Sequence, residues 1–386
     1  MKKIKIAQII TRMDWGGAPD IVRMLCQGLD AYKYEVTLVC GKNMYPTEKT
    51  KVFLESLKER FVIIPELKRD INPVFDALAL RRLYFLFKKG NFDIVHTHTA
   101  KAGCLGRIAA KLANIKVIVH TSHGHNFYGY FGPIISKLII FVERALSSFT
   151  DKIITLTRLE QSDLLRFKVA AQEKTAVAHT AVEFSSINKT NAHRSDLLKK
   201  ELGVKDGHIV VGMVGRLEQI KGVKYFIEAA LQVAQKIKNV QFVLVGEGSL
   251  KTELKMRVKQ AGYEEHFIFC GWRDDVSDIM CLMDMMVLAS LNEAVGLVLI
   301  EAQGLGIPVI ASKVGGIPEV VDDGKSGILV EAKSAEKLTE AMSTLIQDEL
   351  KRRSMGKAAA DFVQSKYDTA DLCRIIMQTY EGLLKG

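Results

Sequence analysis

A chain of 386 residues, 48% hydrophobic and 25% charged, has the length of two ordinary domains and enough apolar residues for packed cores, which excludes a disordered or low-complexity chain. No stretch reaches the roughly 18 uncharged apolar residues of a spanning helix. Six scattered cysteines without a CxxC argue for free thiols in a reducing compartment rather than a disulfide frame. The formal net charge of +10 is uneven: residues 1–190 hold 29 Lys+Arg against 17 Asp+Glu, and the rest hold 25 against 27. The basic half suits an anionic partner, whether lipid, a phosphorylated acceptor or nucleic acid.

In chain order, the start MKKIKIAQII imitates a leader for a few residues, but Lys5 interrupts its apolar run and it reads as a first strand. Five more β-branched runs follow: EVTLVC, FVIIP, FDIVHTH, KVIVHTS and DKIITLT. The second half adds HIVVGMVG, QFVLVGEG, FIFCG, MMVLAS, PVIAS and SGILV. Helix-length pieces at 18–30, 74–89, 221–238 and 250–262 lie between them. Continuous apolar strands alternating with helices predict parallel sheets covered on both faces. The polar stretch 183–207 divides the runs six and six. The expected class is therefore α/β, with two doubly wound, Rossmann-like domains facing across a cleft, at 1–190 and 200–367. The chain after about 350 reads as helical, and a helix at 368–386 is expected to pack back on the first domain.

Ligands of open α/β sheets bind at the carboxyl ends of strands, so those ends carry the functional reading. The first strand ends in DWGGAPD, where Gly16 and Gly17 let backbone approach a ligand; a plain strand-to-helix turn explains them equally well. HTHTAKAG and HTSHGHNFYGY gather His96, His98, His120, His123 and His125 at one edge. Histidines alone, with no Asp, Glu or Cys at ligand spacing, do not make a metal site. His123, before Gly124, sits where a strand breaks and presents an imidazole to the cleft. A structural histidine is the competing reading.

In the second half, GRLEQIKG puts Arg216 and Lys221 beside a helix start, which suits a diphosphate; a solvated loop is the alternative. The neighbouring ends VGEGS, with Glu247, and CGWRDD, with Arg273, suit a base pocket. The run NEAVGLVLIEAQGLGIP has Glu293 before a helix expected near Gly296 and Glu301 about a turn and a half inside it. The free N–H groups of Gly296 and Leu297 suit phosphate oxygens. The two acids then grip hydroxyls on either side, which is the order of a sugar nucleotide: sugar, diphosphate, ribose. Glu319 reads as structural, favoured in a helix first turn behind Pro318.

These segments identify a resemblance. GRLEQIKG, LVGEGSL, EAVGLVLIEAQGLGIPVIAS and GGIPEVVDDGKSGILV, with DWGGAP, DIVHTHTAKAG and HTSHGHNFYG, resemble a family 4 glycosyltransferase of the GT-B fold over nearly the whole chain. The HGHNFYG form looks most like enzymes of polysaccharide or lipid-linked oligosaccharide synthesis. The resemblance implies a retaining transferase that needs no cofactor or metal, moving a sugar from a nucleotide-sugar, UDP-linked by family frequency, to a glycan or undecaprenyl-diphosphate-linked acceptor. It implies Arg216 and Lys221 on the diphosphate, Glu301 on the ribose and Glu293 with the Gly296 and Leu297 amides on the sugar and distal phosphate. Gly17 would approach the phosphate, His123 would line the sugar subsite, and the backbone around Arg273 would meet the base; His123 and Glu293 are the catalytic candidates. Val295 stands where the family often has an aromatic, which blurs sugar identity. With no Asp-x-Asp triplet, Arg216, Lys221 and the helix dipole would neutralise the leaving group.

Segments 74–91 and 127–149 join aromatic and basic residues, and suit either scaffold helices or an anionic bilayer surface. The expected location is cytoplasmic, peripheral on the inner face of the membrane. The alternatives are a nucleotide-sugar epimerase, another sugar enzyme on the same fold, or a nucleic-acid binder. The last is disfavoured because the cationic half lacks the glutamate motif.

Overall fold

The computed structural model describes residues 2–14, 17–43, 48–124, 127, 132–187 and 192–385. The chain forms two compact units, Met1–Ala181 with Thr369–Gly386, and Val182–Asp368.

The first unit holds a parallel sheet of seven strands: β1 (Ile4–Ile10), β2 (Tyr34–Cys40), β3 (Phe61–Ile63), β4 (Ile94–His98), β5 (Val117–Thr121), β6 (Lys152–Thr155) and β7 (Thr175–Val177), in the order β3-β2-β1-β4-β5-β6-β7. The strand order reverses between β1 and β4. The C-terminal helix Thr369–Lys385 belongs to this unit and buries Leu372, Cys373, Ile376 and Tyr380 in its core, with Ile21, Leu25 and Leu38.

The second unit holds six parallel strands: β8 (Ile209–Val214), β9 (Val240–Val245), β10 (Phe267–Gly271), β11 (Met285–Leu288), β12 (Val309–Ser312) and β13 (Gly327–Val330), in the order β10-β9-β8-β11-β12-β13. Here the reversal falls between β8 and β11. Both faces are covered, so these strands are predominantly apolar: all six residues of β9 are buried, and only Gln241 among them is polar. Phe242 stacks on Phe267 with ring centroids 5.0 Å apart and meets Phe226 edge-on at 6.1 Å. Truncating such a ring costs about 3–5 kcal/mol, so this aromatic layer is a main source of the unit's stability.

Local chemistry sets the helix ends. Asn72 caps the helix Pro73–Gly90 by accepting from the Val74 and Phe75 amides, Pro73 stands in its first turn, and Asn91 ends it in the left-handed region. The helix expected at 221–238 starts later, at Val223, because Gly222 takes φ +62 and closes a short 3-10 turn, Gln219–Lys221.

Two expectations are corrected. The first sheet has a seventh strand, β7, whose three residues are too short a run to register as a pattern. The polar stretch 183–207 is not merely a connector, since Ala192–Leu202 within it is helical. Its polarity is that of a surface helix held by one apolar anchor, Leu198, which is fully buried.

Candidate functional site

The strand order of the second unit reverses between β8 and β11, and the carboxyl ends at such a reversal are where open α/β sheets bind ligands. Lys221, on the turn after β8, places Nζ 2.5 Å from Oε2 of Glu293, on the loop after β11. Both side chains are mostly buried. The Ser290 hydroxyl donates to the same carboxylate oxygen at 3.2 Å. The two loops are also tied through the backbone, with Leu291 N–H donating to the Ile220 carbonyl at 2.8 Å. Gly222 lies so close to β11 that an added Cβ would sit 1.8 Å from the Ala289 oxygen. On the other side, Gly316 N–H donates to the Glu293 carbonyl at 3.0 Å.

The helix after Glu293 is Leu297–Gly304. Gly296 enters it at φ +81, a conformation that L side chains resist, and no side chain caps it. Its first-turn amides therefore keep the donor capacity and positive potential of an open helix end. Leu299, Ile300 and Ala302 are buried and fix the helix on the sheet, while Glu301 is partly exposed in its second turn. Lys221, Glu293 and this helix tip are brought together at one strand-order reversal.

The neighbouring strand ends are laced side by side. Gly215 N–H donates to Val245, Leu217 N–H to Glu247 and Gly246 N–H to Gly271. Arg216 is exposed there, and its side chain makes no ion pair with a described residue. Glu247 is engaged by Lys251. The Arg273 guanidinium is clamped by Asp275, through Nε and Nη2 at 2.7 Å each, and by Glu201 at 2.6 Å, which raises its pKa. Its side chain is committed, leaving the backbone of this loop for any ligand. At Glu319 the backbone carbonyl accepts from the Tyr367 hydroxyl at 2.6 Å and from Lys366 Nζ at 2.9 Å, which anchors the main chain there.

In the first unit, Gly17 opens the helix Gly17–Gly28 after β1, while Gly16 and His125 lie outside the described residues. The histidines at the ends of β4 and β5 form a packed cluster. His98 Nδ1 is 2.8 Å from His123 Nε2, and His98 Nε2 is 2.7 Å from Gln8 Oε1. His96 Nδ1 is 2.6 Å from the Tyr380 hydroxyl, and its Nε2 is 2.8 Å from Thr121 Oγ1. Burial pushes His96 and His123 down to about 3, and His98 and His120 well below the ordinary imidazole range, so the cluster is neutral. His123 packs on His98, with part of its surface exposed, at φ +56. Glu160 pins that loop, accepting from the Ser122 hydroxyl, from Gly124 N–H at 3.0 Å and, through its other oxygen, from Leu156 N–H at 2.9 Å.

Sequence reasoning missed Gln8, Ser290 and Glu160. Gln8 left a signal, a polar residue inside the buried run IKIAQII. Glu160 left none, because an acid in a helix first turn is commonplace. Among the described residues, no three His, Cys, Asp or Glu side chains are grouped to hold a metal ion.

Two parallel α/β units, each with a strand-order reversal, are the architecture of the two-domain GT-B fold class. Residues 195–362 match the family model "Glycosyl transferases group 1", and residues 15–185 match "Glycosyltransferase Family 4". The chain is 30% identical to the UDP-Gal:alpha-D-GlcNAc-diphosphoundecaprenol alpha-1,3-galactosyltransferase of Escherichia coli, over 90% of this chain and 89% of that protein. It is 26% identical to the N-acetyl-alpha-D-glucosaminyl L-malate synthase of Bacillus anthracis, over 81% of each. Its fold matches that of Anabaena Alr3699/HepE, solved in complex with UDP and glucose, with a TM-score of 0.83 at 22% identity, over 98% of this chain and 100% of that one. The chain belongs to the family 4, group 1 glycosyltransferases. It is an enzyme that transfers sugar from a nucleotide-sugar.

Proposed function

We propose that the donor is a UDP-sugar and the acceptor a lipid-diphosphate-linked glycan, with retention at the anomeric carbon and without a metal ion. The observation that carries this reading is the open helix tip at Gly296–Leu297, with Lys221 paired to Glu293 beside it. The tip and Lys221 suit a diphosphate, and exposed Arg216 adds a second cation. Glu301 takes the ribose hydroxyls, and Glu293 takes those of the transferred sugar. Gly17 comes close to the phosphates, His123 lines the sugar subsite, and the loops of Glu247 and Arg273 meet the base through backbone.

Cations and helix dipole stabilise the charge that develops on the departing diphosphate. The sugar C1–O bond to phosphate breaks, the acceptor oxygen bonds C1 on the same face, and the acceptor hydroxyl proton passes to the leaving phosphate oxygen. The Escherichia coli relative, by its name, uses UDP-Gal and a diphosphoundecaprenol acceptor, which supports the donor and acceptor classes.

A lipid acceptor calls for a bilayer contact, and the helix Pro133–Ser147 supports one. Ile134 is 83%, Leu138 60% and Phe141 68% exposed, at a spacing that makes one apolar stripe. Its opposite side carries Glu143, bound to the buried Arg107 at 2.9 Å. The helix thus turns its apolar side outward, with exposed Lys137 beside the stripe. The partner is an anionic bilayer, at the cytoplasmic face where nucleotide-sugars are made. No described helix is long and apolar enough to cross a membrane.

The test is to incubate the chain with single UDP-sugars, with and without a GlcNAc-diphosphate-lipid, and with a chelator. The reading expects acceptor-dependent UDP release, an α-linked product by NMR and no loss on chelation. A β-linked product, loss of activity with chelator, or sugar conversion without acceptor would contradict it.

A further inference from the structure

The histidine cluster carries one inference beyond contact with the sugar. Its hydrogen bonds form a single chain: Thr121, His96, Tyr380, Gln8, His98, His123. Tyr380 is fully buried, comes from the C-terminal helix Thr369–Lys385, and its hydroxyl accepts from Gln8 Nε2 at 3.1 Å. The other amide atom, Gln8 Oε1, faces His98 Nε2 at 2.7 Å. A carbonyl oxygen can only accept, so His98 Nε2 carries its proton. His98 is neutral, so its Nδ1 is a bare acceptor. The proton of the 2.8 Å contact must then sit on His123 Nε2. His123 is neutral as well, which leaves its Nδ1 as a lone pair.

That Nδ1 is buried and makes no hydrogen bond with a described residue. The reverse arrangement, with the Gln8 amide turned over, would place a proton there and bury an unsatisfied N–H. An orphaned buried donor is the costlier and rarer of the two states. The loop holding His123 is itself under constraint, at φ +56 and pinned by Glu160. Strain of this kind persists where the surroundings over-determine a position.

We infer that Gln8 and His98 are positioning residues, held in register by Tyr380, that fix His123 as the Nε2–H tautomer and keep its Nδ1 an acceptor for a hydroxyl of the transferred sugar. The inference rests on the proposed sugar subsite for its ligand, but the tautomer is independent of that reading. The C-terminal helix, remote in sequence, thereby anchors the far end of the hydrogen-bond chain that reaches His123. A sugar hydroxyl can donate or accept, so the tautomer sets the direction of that hydrogen bond and hence which way the hydroxyl is turned.

The test is two-bond proton–nitrogen correlation NMR on the full chain labelled with 15N-histidine, with His123→Ala identifying the signal. The expected spectrum gives His123 a bare Nδ1 and a protonated Nε2. Gln8→Met removes the amide, and should mix the tautomers and lower kcat about tenfold, with donor KM within about threefold. Gln8→Glu, whose carboxylate can only accept, should restore both the spectrum and the rate. A protonated Nδ1 in the unmodified chain, or an unchanged tautomer and rate in Gln8→Met, would overturn the inference. The wild-type spectrum decides the tautomer even if Gln8→Met fails to fold. Full activity of His123→Ala with the expected tautomer would sink the sugar-subsite reading and leave the relay standing.

Discussion

Lys221 Nζ lies 2.5 Å from Glu293 Oε2, joining loops that follow two strands adjacent in the sheet but far apart in sequence. The cation proposed for the diphosphate is thus neutralised in the resting chain by the acid proposed for the sugar. Donor binding has to re-partner both. Lys221→Ala should therefore raise donor KM at least about tenfold. Glu293→Gln keeps the shape but loses the charge, and should lower kcat about a hundredfold with a smaller change in KM. Steady-state kinetics in varied UDP-sugar separates the two effects.

Glu301 stands in the second turn of the helix whose tip is open. A bound nucleotide at a hundred times its Kd stabilises a fold by about 2.7 kcal/mol, which a melting curve reads directly. Glu301→Ala should remove most of the UDP-induced rise in Tm while leaving the ligand-free Tm near that of the wild type. An undiminished UDP shift would remove Glu301 from the ribose site.

Gly315 supports the Glu293 loop from behind. It takes φ +52, and an added Cβ would lie 1.8 Å from the Glu293 carbonyl oxygen. Gly315→Ala should displace that loop and abolish transfer. Gly324 is the matching control: its φ is +80, and an added Cβ there would meet nothing within 4 Å. Gly324→Ala should cost only about 1 kcal/mol of backbone strain and keep its activity.

The neutral histidines set an acid limit. Burial lowers His96 and His123 from 6.5 to about 3 in the folded chain. The unfolded chain takes up those protons first as pH falls. Their stabilisation is therefore fully present above pH 6.5 and is lost progressively from 6.5 toward 3. Each group contributes a slope of roughly 1.4 kcal/mol per pH unit, less for His123, which is partly exposed. Denaturant unfolding at pH 7, 6 and 5 should show this decline, and His96→Gln should flatten it. A curve flat between 7 and 5 would contradict it.

The stripe on the helix Pro133–Ser147 is mostly exposed, so little packing is lost when it is changed. Leu138→Glu with Phe141→Glu should abolish flotation with anionic vesicles and change folding stability by no more than about 0.5 kcal/mol. Equal flotation of the variant would remove this helix from the bilayer contact.

Much of the fold was legible because parallel strands covered on both faces are predominantly apolar. All six runs of the second half became β8–β13, and the helices between them start and stop within a few residues of expectation. Strand β7 escaped because three residues carry no period. The candidate site was legible by residue type rather than by contact. Arg216, Lys221, Glu293 and Glu301 stood out at strand ends, but the pairing of Lys221 with Glu293 depends on β8 lying beside β11, which no local pattern encodes. Arg273 attracted notice as a cation, and only the folded positions of Glu201 and Asp275 reveal that its guanidinium is already occupied. The partner of Gln8 was hidden for the same reason, since Tyr380 reaches it from the other end of the chain.

The most direct measurement of the central claim is a crystal structure of the chain with UDP bound. The account predicts the diphosphate within hydrogen-bonding distance of the Leu297 amide and Lys221 Nζ, with the ribose against Glu301. Ordered UDP elsewhere, with the tip at Gly296–Leu297 bare, would contradict it.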